Sequence, residues 1–483
     1  MVHRLAQQLS GRPLPSGTAR WPAGSAGGLD NPEPGGWRPG PGLAFTTRMP
    51  TSSADVALLG RRCGFGATQT QIDQWALLDR AVLINQLLDT SAPYNGPAPP
   101  IMGDASGLSE WAQFMALGQW WINRMAASTT PIVEKMTLFW HGLFTTSFSK
   151  VFDPPMIATQ HAFYRANALG NLKTLVHGMS LQPAMLDYLD NAASGKWAPN
   201  QNYARELMEL FLLGAGNYSE ADVEAGAAAW TGHSIDRTTG TYLFRSSWHD
   251  PSIKTFLGQT GALNGPDTVE IMLTNATVAP IMARWIATKL WEFFAHPSPP
   301  AAAVNAIATK LLENYNITEA LRVLFNRNEF YLPASVEGHV RSPLEYMVAV
   351  LRGMPTVTAE ELHPEWFLDD MGQIPFNPPT VEGWKYNGYW VSTAAAGAKA
   401  NFAQHATWRL AELNKHPFAA ITSLSVNDAV QLALDTFHIV DPTPQTEAVL
   451  RNWLTSQRVA NQPWFQANGM LILVLLCPEL QIG

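Results

Sequence analysis

From Ala54 to the end of the chain, apolar residues return every three or four positions, a period that permits little except helices packed on helices. Residues 71–89 put Ile72, Trp75, Leu78, Val82 and Leu83 on one stripe and stop before Ser91 and Pro93. Helices are predicted next at 108–127, 131–144 (Pro131 in its first turn), 156–168 and 182–189. A second group covers 276–295, 301–314, 318–325 and 342–352, and a third 401–412, 426–436, 446–457 and 464–476. The β signal is confined to 242–245, where Thr238-Thr239-Gly240 supplies the turn of a small hairpin. The expected fold class is mainly α: a large multi-helix protein of two packed helical lobes, with at most that hairpin.

Length supports the division, because 483 residues exceed what one hydrophobic core usually serves. Residues 1–48, rich in Gly, Pro, Arg and Ser, read as a disordered leader, and Met49 as the natural start. Residues 49–296 are expected to form an N-terminal lobe and 301–483 a C-terminal lobe, with Pro297–Pro300 between them. A 46% apolar content with 18 Trp and 21 Phe belongs to a folded chain. The net charge of −8 is scattered and makes no basic stripe, which argues against a nucleic-acid groove. The longest apolar run, 470–477, falls far short of the roughly 20 residues that span a bilayer. With no signal peptide at its start, the chain as written is expected to be cytoplasmic. Cys63 and Cys477 fit no disulfide framework or zinc spacing and read as buried hydrophobes.

Charge is scarce, at 14% of residues, so its crowding in Pro199-Asn200-Gln201-Asn202-Tyr203-Ala204-Arg205-Glu206-Leu207-Met208-Glu209-Leu210-Phe211 calls for a cause. Glu206 and Glu209 share a helix face, with Leu207, Leu210 and Phe211 on the buried one and Gly214 as the stop. Two readings stand side by side. The acids either answer the helix dipole and pair with Arg205, or face a cleft as catalysts or metal ligands. Two acids on one helix approach a bond from the same side, so a catalytic pair needs an acid from another segment. Asp250 is the candidate, in Trp248-His249-Asp250-Pro251-Ser252-Ile253-Lys254, which the proline holds off any helix.

Other polar residues have quieter readings. Asp222 fits a capping box with Ser219. Asp190 opposes the dipole of the helix it closes, which calls for a partner or a function. His141 and His161 read as hydrogen-bonded core histidines, and Trp384 and Trp390 as ligand platforms or packing anchors. No phosphate loop, nucleophile elbow or HExxH motif is present.

Several segments together resemble the bacterial domain-of-unknown-function 1800 family. They include Leu58-Leu59-Gly60-Arg61-Arg62-Cys63-Gly64-Phe65-Gly66-Ala67, Phe139-Trp140-His141, Leu186-Asp187-Tyr188-Leu189-Asp190-Asn191 and the 202–214 helix. His249-Asp250 with Lys254, Pro378-Pro379 with Gly383-Trp384, and the closing Cys477-Pro478-Glu479-Leu480-Gln481 continue in the same order. The resemblance implies an α-helical protein and no particular reaction. It also implies frequent export and a phosphatase/sulfatase-like protein encoded alongside. Three positions depart from the family pattern: Leu143 where a second histidine is common, Gln201 for a glutamate, and Lys399 for an arginine.

Three functions are expected to compete. The first is a hydrolase or lyase on a carbohydrate polymer, with Glu206, Glu209, Asp250, His249 and Lys254 as catalysts. Asn202, Arg205, Asp190, Trp248 and Trp384 would bind its substrate. The second is a metal-dependent enzyme holding zinc, manganese or iron on Glu206, Glu209, His249 and Asp250. The third is a noncatalytic helical scaffold for the phosphatase/sulfatase-like partner.

Overall fold

Reciprocal hydrogen bonds at helix starts set much of the chain's punctuation. In the computed structural model, which describes residues 52–483, capping boxes open the helices Gln69–Trp75 (Thr68 with Gln71), Glu220–Ala229 (Ser219 with Asp222) and Pro343–Gly353 (Ser342 with Glu345). Asp222 is therefore the cap expected of it, and its second oxygen also accepts the Leu257 N–H at 2.7 Å. The leader expected at 1–48 lies outside the described residues.

The protein is mainly α. Among the described residues the only sheets are two antiparallel pairs, His233–Asp236 with Thr241–Phe244 and Lys254–Phe256 with Gln259–Gly261. The first is the predicted hairpin. The second turns on Leu257 and Gly258, both at positive φ (48° and 80°), which a tight two-residue turn requires. Lys254, expected on a loop, thus begins a strand.

Most predicted helices appear with ends moved by one to three residues. The stretch 71–89 instead divides into Gln69–Trp75 and Arg80–Leu87, because Leu77 points outward (86% exposed) and Asp79 begins a new turn. The helix predicted at 401–412 starts earlier, as Thr393–Glu412, where Ser392 caps an alanine-rich turn that has helix propensity but no apolar stripe. No helix among the described residues is long and apolar enough to cross a membrane.

Apolar side chains from Val56 to Leu480 join one buried cluster, and the described residues, 52–483, belong to one compact unit. The helices Ala279–Phe294 and Ala301–Asn314 pack on each other across the 297–300 link. Cys63 and Cys477 are buried thiols, with pKa values pushed up by burial.

Candidate functional site

Asn200 starts the acidic segment by accepting the Asn202 and Tyr203 N–H groups on its side-chain oxygen (2.8 and 3.4 Å). Gln201–Glu206 is α-helical, but Leu207–Leu212 widens into a π-helix, and the Leu213 N–H reaches back to the Met208 carbonyl at 2.7 Å. Such turns rotate side chains off the regular stripe and recur at functional sites. Trp285, from Ala279–Phe294, donates its indole N–H to the Leu210 carbonyl at 3.2 Å.

Arg205 does not clasp either neighbouring acid. Its guanidinium turns to Glu220, at 3.1 and 2.5 Å. Glu209 accepts the Tyr218 hydroxyl. Among the described residues nothing donates to the Glu206 carboxylate, which is half-buried. Burial, then the charges of Glu209 and Glu382, raise the Glu206 carboxyl above its ordinary value, and Arg205 opposes them only in part. The same carboxylate helps burial push the Tyr188 hydroxyl up to about 12. Glu382 moves the opposite way: its hydrogen bond and charge pairing with Lys385, aided by Lys289, hold it below the carboxylate range.

Glu382 belongs to the wall of a cleft of about 250 Å³. Leu210 of the π-helix, Trp285, Lys289 and Glu292 of Ala279–Phe294, Gly142 and Leu143 of Pro131–Leu143, and Trp384, Lys385 and Tyr386 complete it. Glu206 lies one turn before Leu210; it is not itself part of this lining, and its tie to the cleft is the charge of Glu382 acting on it. Lys289 pairs with Glu292 at 2.9 Å and Lys385 with Glu382, so the charges in a largely apolar lining are balanced. Trp384 is buried with its indole N–H unpartnered and its ring edge-on to His141 at 5.1 Å. His141 is a neutral core histidine, its pKa lowered to about 3 by burial. His161 is likewise buried, its ring nitrogens 3.3 Å from Arg165.

The His-Asp loop forms a separate group. His249 donates Nδ1–H to the Thr231 carbonyl (2.9 Å), and the Asp250 N–H donates to Thr231 Oγ1 (2.8 Å). Lys254 spends its ammonium on the carbonyls of Asp250 and Ser252 (2.6 and 2.8 Å). The Asp250 side chain accepts the Ser252 N–H at 2.8 Å, and hydrogen bonding to Ser252 lowers its pKa. Trp248 stands edge-on to Trp197 at 5.3 Å, with Arg245 over its ring at 4.7 Å. Among the described residues no hydrogen bond, ion pair or ring contact joins Glu206 or Glu209 to His249, Asp250 or Lys254. Nor does any group of three or more His, Cys, Asp or Glu side chains there lie together as metal ligands. The expected Glu206–Glu209–His249–Asp250 ligand set is therefore not assembled among the described residues.

Asp190 has the partner its position called for: Lys150, at 2.7 Å and exposed. It takes a left-handed backbone (φ 62°) at the end of Pro183–Tyr188. We expect Asp190→Gly to change stability by no more than about 0.5 kcal/mol in a denaturant melt, since the pair is surface-screened and glycine suits the φ. The Asn202 side chain is exposed beside the cap.

Sequence reasoning missed Glu382, Trp285 and Lys289. Glu382 lay in a stretch read for its tryptophans, and Trp285 reads as core on a helical stripe. His233 was missed as well: it donates Nε2–H to Asn264 (3.2 Å) and accepts the Tyr242 hydroxyl (2.9 Å), with burial lowering its pKa to about 4.

A family model described as "Protein of unknown function (DUF1800)" matches residues 58–482. No curated protein and no solved structure matches the chain.

Proposed function

Since the chain belongs to that family, whose description assigns no reaction, we propose from the cleft itself that the protein cleaves a carbohydrate polymer by carboxylate acid–base chemistry. The observation that carries the reading is a pair of interacting carboxyl groups from distant segments, Glu206 and Glu382, whose pKa values are displaced in opposite directions. Acid and base roles follow from such a split. Glu206, proton-bearing to higher pH, donates to the leaving glycosidic oxygen. Glu382, ionised, takes the proton of the attacking water. Trp285 and Tyr386 give the cleft the aromatic surface against which sugar rings pack, with buried Trp384 behind them.

A panel of polysaccharides assayed for new reducing ends tests this. Glu206→Gln is expected to lower kcat by about 10²–10⁴-fold, the usual worth of a positioned general acid. The wild-type pH profile is expected to be a bell, with limbs moved apart in the directions of the two shifts. Its acid limb reports Glu382 gaining a proton and its alkaline limb Glu206 losing one, and the variant lacks the alkaline limb. Equal turnover by wild type and Glu206→Gln on every cleaved substrate, or no cleavage of any, would sink the proposal.

A further inference from the structure

A buried cation on the Thr393–Glu412 helix has no counter-ion among the described residues. Lys399 is 6% exposed, its ammonium donates to Gln481 Oε1 at 2.6 Å, and it lies 5.2 Å from the centre of the Tyr346 ring. Among the described residues no carboxylate comes within ion-pair distance of it, whereas lysines this buried are nearly always paired. Arg341, whose charge acts on it, is also positive. One of the three ammonium N–H donors is used by Gln481, which leaves two for a further acceptor.

Lys399 and Gln481 share a pocket of about 370 Å³ with Val340, Trp390, Val391 and Leu476. That volume lies at the small end of the ligand-site range of roughly 300–1,000 Å³. The lining is mostly apolar, with one cation, one amide and the Ser392 hydroxyl as its polar groups. A single positive charge suits a monoanion. A phosphate would keep an unmatched second charge, because Arg341 is buried, bound to the Leu480 carbonyl, and does not line the pocket.

We propose that this pocket binds an apolar monocarboxylate, with the carboxylate on Lys399 and the tail along Val340, Trp390 and Leu476. Burial, with Arg341 adding to it, lowers the lysine's pKa to about 8, so it still carries its charge at neutral pH.

Calorimetric titration of the full chain with octanoate, 1-octanol and acetate separates charge from tail. Octanoate is expected to bind at least tenfold more tightly than 1-octanol, and acetate to give no heat. Lys399→Met is expected to weaken octanoate at least tenfold while leaving 1-octanol unchanged, and Lys399→Arg to retain octanoate. Ala400→Phe, at an exposed lining position, is expected to fill the pocket and abolish both without touching the lysine. Equal binding of octanoate and 1-octanol, or undiminished octanoate binding by Lys399→Met or Ala400→Phe, overturns the assignment. So does an octanal imine on Lys399 that borohydride reduces to a stable secondary amine, in a protein that ignores octanoate, which would make the pocket a carbonyl site.

Discussion

Glu345→Gln is expected to destabilise the protein by about 3–5 kcal/mol, the usual loss when one partner of a buried ion pair is removed. Glu345 and Lys135 are 4% and 3% exposed, and they meet through a direct hydrogen bond. The carboxylate also accepts the Ser342 N–H at 2.9 Å, closing the cap of Pro343–Gly353. Around it stand Arg62 and Arg341, both buried, so a single negative charge answers three positive ones. Arg62 is held by the carbonyls of Phe294 and Ala295 (3.2 Å each) and of Ser335, which solvate its charge without cancelling it. Burial alone would raise the Glu345 carboxyl. Lys135, His339 and the Ser342 N–H outweigh it and hold the group well below the carboxylate range. A carboxyl depressed by folding contributes stability that is complete above its unfolded value, about 4.3, and is lost as pH falls through the folded one. Urea melts should therefore show wild type weakening below about pH 4, and Glu345→Gln starting lower and changing less over that range. Lys135→Met added to Glu345→Gln is expected to recover part of the loss. A Glu345→Gln loss under about 1 kcal/mol would mean that the surrounding dipoles, not this pair, carry the cluster's charge.

That pair also marks where sequence reasoning ran out. Helix existence was legible because an apolar stripe is a local property: Ile307 and Leu311, or Leu321 and Leu324, announce themselves within a turn. The cap at Ser219–Asp222 was legible for the same reason, since its partners are three residues apart. Lys135 and Glu345 lie 210 residues apart, and nothing near either names the other. The same distance problem misdirected the site. Asp250 looked like the acid to oppose Glu206, because it sat beside a histidine and a tryptophan and ahead of Lys254. The structure instead brings up Glu382, which in the sequence is one more acid, three residues after a Pro-Pro pair. The π-helix at Leu207–Leu212 was illegible too, because a widened turn preserves the apolar character that a helical stripe detects. Leu172–Ser180, a two-turn helix capped by Asn171, passed unread because it is short and interrupted by Gly178.

The loop bearing Glu382 hangs on one glycine, and Gly383→Ala is the second substitution expected to have a large effect. Gly383 sits at φ +82°, and a Cβ there would lie 2.1 Å from the Gly142 carbonyl oxygen and 3.1 Å from Thr145 Oγ1. The carbonyl is fixed within the Pro131–Leu143 helix and accepts the Thr145 hydroxyl at 2.9 Å, so it has nowhere to retreat. Left-handed strain of about 1–2 kcal/mol adds to that overlap. We expect at least about 3 kcal/mol of destabilisation, or a loop displaced from the helix if the rest of the fold holds. Gly142→Ala provides the graded comparison. Its Cβ would meet the Tyr386 hydroxyl at 3.1 Å and Trp384 Cε3 at 3.8 Å, a tight contact with a side chain that can swing. Its cost should stay near 1 kcal/mol, in line with ordinary crowding. Because Trp384 is buried beside His141, displacement of the loop should appear as lost near-ultraviolet dichroism and a red-shifted tryptophan emission before the helices melt. Any cleavage that depends on Glu382 and Trp384 should fall with it, even at temperatures where helical content is intact. A Gly383→Ala protein melting within about 2 °C of wild type, with unchanged tryptophan emission, would show that the loop tolerates a side chain and does not need this contact to position Glu382.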